Sequence, residues 1–90
     1  NNRKNILTDL LVAAISEQQS AKISFDTFAS NIEKVSNGLD LLLKNYENQI
    51  VNFKDILELQ ELQMKLKVSK IEAVKSYFVQ SSMINDLSNN

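Results

Sequence analysis

The chain has 90 residues, a formal net charge of −1 and 23 % charged residues. That length holds one domain with a small core, and that balance gives no electrostatic reason to bind nucleic acid or an acidic membrane. The absence of Cys and His excludes disulfides, thiolate chemistry, Cys-based zinc sites and the usual base near neutral pH.

The composition is that of an all-α protein: there is no Pro and only one Gly, while Leu, Lys, Gln, Glu and Ile are plentiful. Residues 1–5 are polar and expected to fray. They lead into an amphipathic segment, not a uniformly apolar one, so no signal peptide is read there. The opening Asn1 in place of Met is compatible with a trimmed piece of something longer. No apolar run approaches the roughly 18 to 20 residues of a spanning helix.

From Ile6 the apolar residues recur at helical spacing: Ile6, Leu7, Leu10, Leu11, Ala14, Ala21, Phe25, Phe28, Ile32 and Val35 share about a third of a helix circumference. Glu17 to Ser20 offers no apolar anchor, and Ser24 to Thr27 contains good N-cap residues, so a weak point or break is expected near residues 20–26. Ser36-Asn37-Gly38 is the strong turn signal, because Gly and Asn tolerate the left-handed conformation that ends helices. Yet Phe25, Phe28, Ile32, Val35, Leu39, Leu42, Tyr46, Gln49, Phe53 and Ile56 alternate by three and four without a slip. A hairpin with helices at residues 6–36 and 39–86 therefore competes with one long helix from about residue 25 onward. We favour the hairpin, within a single helical domain spanning residues 1–90. The fold expectation is a long helical hairpin, or two to three extended helices. The series of core candidates within the chain is Phe25, Phe28, Ile32, Val35, Leu39, Leu42, Tyr46, Phe53 and Ile56.

Beyond Ile56 the same register would fall on Gln60, Gln63, Lys67 and Lys70, so it is read as failing there. In its place the stretch 57–78 shows two apolar sides. At about 100° per residue, Leu57, Met64, Val68, Ile71, Val74 and Phe78 fall on one side. Leu59, Leu62, Leu66, Ala73 and Tyr77 fall nearly opposite. Alternation over 62–68 would suit a strand, but its helix-forming flanks and the lack of a partner strand argue for helix. One side can close on the chain's own N-terminal half, and the other is left for further chains. The candidate protein interface is Leu57, Leu59, Leu62, Met64, Leu66, Val68, Ile71, Val74, Tyr77 and Phe78. The tail from Ser81 turns polar and is expected to fray.

Asp26, Glu33, Asp40 and Glu47 recur every seven residues, and Lys65, Lys67, Lys70 and Lys75 make the second helix locally basic; both patterns read as solvated faces. Asp40–Lys44 and Glu61–Lys65 are spaced for helical ion pairs. No nucleotide-binding, metal-binding or nucleophile motif occurs, and Glu58 with Glu61 lies on a helix surface. The expectation is a protein that is not an enzyme. It would have no cofactor, metal or small-molecule substrate, no nucleic-acid partner and no transmembrane span.

Two segments resemble a known family. Ile23-Ser24-Phe25 with Phe28 and Ile32 to Asn37, and Asp55-Ile56-Leu57 with Leu62-Gln63-Met64, Leu66, Val68, Lys70-Ile71 and Tyr77, are similar to the amphipathic segments of type III secretion inner-rod proteins and FliE-like flagellar rod adaptors. Ser69-Lys70 stands where the flagellar adaptors carry an Arg-Asn-Lys cluster. The resemblance implies a non-enzymatic subunit in the cell envelope, built with other copies of itself or other helical subunits, that connects export gate to needle or rod. Two other readings remain open. One is a secreted helical hairpin of the type VII (WXG100-like) kind, in which Ser36 occupies the motif's Trp position. The other is a helical adaptor or chaperone with one protein partner.

Overall fold

The computed structural model describes residues 2–48 and 51–89. Two long helices form a hairpin. Helix α1 spans Asn2–Glu47 and helix α2 spans Phe53–Ser88, and there is no strand among the described residues. The chain divides into two compact units. One unit is built from the stretches 26–47 and 53–70 together with the turn between them. The other is built from 2–25 and 71–88.

The turn is not where the Asn37-Gly38 signal places it, nor is the chain continuous beyond it. Helix α1 passes through Gly38 unbroken and ends at Glu47. Gly38 has a packing setting instead: a Cβ there would lie 3.6 Å from Leu59 Cδ2. The reversal lies between the end of α1 at Glu47 and the start of α2 at Phe53, and the sequence there has neither Gly nor Pro. The Asn48 N–H still donates to the Lys44 carbonyl at 3.3 Å, completing the last turn of α1. Asn52 then caps α2. Its Oδ1 accepts from the Lys54 N–H at 3.1 Å and its carbonyl accepts from the Asp55 N–H at 3.1 Å. A side-chain acceptor there satisfies a donor that the first helical turn leaves open, and Asp55 suits the positive end of the helix dipole.

In the unit 26–70, the α1 residues turned inward are Phe28, Ile32, Val35, Leu39 and Leu42. Those of α2 are Ile56, Leu59, Gln63, Leu66 and Lys70. Both series step by three and four, as facing helices require. The earlier register fails after Ile56, as expected, since Gln60 and Lys67 are exposed. It restarts at Ile56 in a new phase, because the turn resets it, and it admits Gln63 and Lys70. The Gln63 Nε2 donates to Ser36 Oγ at 2.9 Å, which gives that polar position a partner. Tyr46 and Phe53, expected in the core series, are exposed at the turn end, where their rings meet at a tilt of 45° with centroids 5.9 Å apart. Gln49, another member of that series, lies outside the described residues.

In the unit 2–25 with 71–88, Leu7, Leu11, Ala14, Gln18, Ala21 and Phe25 are the inward positions of α1, with Ala14 and Ala21 buried. On α2 they are Ala73, Tyr77, Gln80, Ile84 and Leu87, with Ala73 buried. Helix α1 is continuous through residues 20–26, where a weak point or break was expected. The polar run is accommodated because Gln18 Nε2 donates to Ser81 Oγ at 2.9 Å, and the Ser81 hydroxyl donates to the Tyr77 carbonyl at 2.8 Å. The polar segments at both ends are helical from Asn2 and as far as Ser88, where fraying was expected. Asn1 and Asn90 lie outside the described residues.

Candidate interaction surfaces

The residues proposed for an interface divide by exposure. Within the unit 26–70, Leu59 and Leu66 are half-buried on the inward side of α2. Leu57, Leu62, Met64 and Val68 are exposed. Leu57, Met64 and Val68 lie within about 40° of one another around the helix axis, while Leu62 stands alone on a flank. Met64 is 68 % exposed and Val68 53 %, so this stripe contributes little to the hairpin itself. Within the unit 2–25 and 71–88, Val74 and Tyr77 are half-buried, whereas Ile71 and Phe78 are 68 % and 65 % exposed. The exposed Phe78 ring makes a T-shaped contact with that of its neighbour Tyr77, at 5.7 Å.

Sequence reasoning missed further exposed apolar side chains on α1. In the unit 2–25 with 71–88 these are Val12, Ile15 and Ile23, and in the unit 26–70 they are Leu41 and Leu43. The signal for them was available, because each lies off the three-and-four series that carries Leu7 to Leu42. Single exposed aliphatic residues are ordinary; a stripe at helical spacing marks a surface that binds something.

The polar chemistry around these stripes is plain. Lys54 Nζ lies 3.8 Å from Glu58 Oε1, both largely exposed, a pair worth a few tenths of a kcal/mol. Glu58 and Glu61 are both exposed on α2. No group of Asp and Glu among the described residues is arranged to hold a metal ion. No described helix is long and apolar enough to cross a membrane. A cleft of about 500 Å³ is lined by Arg3, Ile6, Leu7 and Leu10, one cation among aliphatic chains with no nucleophile or general base. The apolar stripes of α2 are thus the candidate interaction surfaces among the described residues. Compared with known proteins, the chain matches no family model, no curated protein and no solved structure.

Proposed function

We propose that this protein is a non-enzymatic structural subunit that self-assembles through the outer apolar side of α2. The observation that carries the reading is the exposure of Met64 and Val68, on the side of α2 away from Leu59 and Leu66. Covering one such side chain contributes about 1.5–3 kcal/mol, so a few of them repeated over several copies sustain an assembly. In its finer form the proposal is an inner-rod-type component of a type III secretion apparatus, joining export gate to needle. That form rests on the resemblance of residues 23–37 and 55–77 alone.

The test is the double substitution Met64→Asp with Val68→Asp. Light scattering should show the parent chain as assemblies that grow with concentration. The variant should be reduced to its smallest species, with its far-ultraviolet helical signal within about 10 % of the parent. A parent chain that stays a monodisperse, thermally stable monomer at millimolar concentration defeats the proposal.

A further inference from the structure

We infer that the outer side of α2 in the unit 26–70 pairs antiparallel with the same side of a second copy, centred between Leu62 and Gln63, with Glu58 of each chain against Lys65 of the other. The inference rests on the self-assembly reading and adds to it the direction and register of the contact.

The apolar seam comes first. Leu57, Glu61, Met64 and Val68 step by four, three and four along α2, and all are exposed. That is the spacing of a coiled-coil seam. The half-buried Leu59 and Leu66 lie on the opposite side of the helix, so the outer seam is left uncovered within its unit. Exposed Glu58 and Lys65 border it on one flank, and exposed Gln60 and Lys67 on the other.

Charge then decides the direction. In a parallel pair each seam position meets its own counterpart, which sets Glu61 against Glu61 in the middle of the contact. In an antiparallel pair Glu61 packs beside Met64 of the second copy, and Leu57 beside its Val68. Residues of the same flank then meet across the seam.

Charge also decides the register. With Leu57 beside Val68, Glu58 of each copy lies against Lys65 of the other, and Gln60 against Lys67. A shift of one heptad in one direction sets Glu58 against its own counterpart. The same shift in the other direction sets Lys65 against its own. Of these three registers the central one alone brings opposite charges together, and such flanking pairs are what fixes orientation in paired helices. The Lys54–Glu58 contact within one chain, at 3.8 Å and largely exposed, is too weak to hold Glu58 back. The contact is isologous and joins two copies, as the first step of the assembly.

Two charge reversals, Glu58→Lys and Lys65→Glu, test this on the full chain. Either one alone sets like charges together at both ends of the contact. It should weaken self-association by about tenfold in sedimentation equilibrium at low ionic strength. The two variants mixed in equal amounts should associate as tightly as the parent, because each supplies the charge that the other lacks. A parallel pair would show no such rescue, since residues of the same flank then lie apart. A second measurement needs no variant. A carbodiimide applied to mixed heavy-isotope-labelled and unlabelled parent chains should join Glu58 of one copy to Lys65 of the other, as read by mass spectrometry of peptides. If the two variants lose their helical signal in circular dichroism, this crosslink alone decides. The proposal is overturned if the mixture of folded variants associates no more tightly than either alone, or if the interchain crosslink is absent while the parent still self-associates. A parent chain that does not self-associate sinks the self-assembly reading itself, and this inference with it.

Discussion

Gly38 does not take the role that its residue type suggests, whereas Asn52, an N-cap by type, does. Gly38 lies inside α1, where a Cβ would meet Leu59 Cδ2 at ordinary contact distance. The helix therefore bears the backbone entropy of a glycine without needing its freedom or its missing side chain. Gly38→Ala should stabilise the hairpin by about 0.5–1 kcal/mol. Thermal unfolding at fixed concentration should show this as a rise of a few degrees in Tm, and a fall would mean that the 3.6 Å contact is tighter in solution. Asn52 was legible only as one Asn among many, because an N-cap is recognised by the start of a new apolar pattern on its C-terminal side. Here Phe53, the next residue, continues an apolar series already running. The turn dipeptide was the stronger pattern by residue type, and it lost to packing between α1 and α2.

The two helices differ in how much of their burial could be read beforehand. For α1 the three-and-four spacing from Phe28 to Leu42 is also the inward series found in the unit 26–70. Spacing alone sufficed there because the inward residues of this stretch are large and apolar. For α2 the inward series includes Gln63, Lys70 and Gln80, which carry no apolar signal, so the eye goes to the outer residues instead. The two sides of α2 were legible as two sides. Which one faces α1 was not, since both are apolar and only the phase set at the turn decides between them. Single substitutions should separate the two roles. Leu66→Asp places a charge on the half-buried inward side and should lower the helical signal and Tm sharply. Val68→Asp, on the exposed side, should leave both within about 0.5 kcal/mol of the parent. Equal effects of the two in circular dichroism melts would mean that the assigned phase of α2 is wrong.

For the molecule as a whole, the buried apolar residues among those described are Ala14, Ala21, Ile56 and Ala73. Three alanines and one isoleucine are a thin core for two helices of 46 and 36 residues. A chain of this size with so little buried side-chain volume is marginal alone, and association is the usual remedy. Polar cross-helix bonds at Gln18–Ser81 and Gln63–Ser36 add pairing specificity at some loss of apolar burial.

Ile56, the one large side chain in that core at 2 % exposure, sits a few residues past the turn. The end of α1 at Glu47 is only nine residues before it, so the loop that must close before it packs on α1 is short and its entropic cost small. Formation of the native state should start there and proceed outward, with the stretch 2–25 joining 71–88 last. In stopped-flow chevrons of the assembly-deficient variant, Ile56→Val should cost about 1 kcal/mol, chiefly as slower folding. Ala73→Gly should cost a similar amount, chiefly as faster unfolding. The reverse assignment of the two limbs would place the starting point at the other end of the helices.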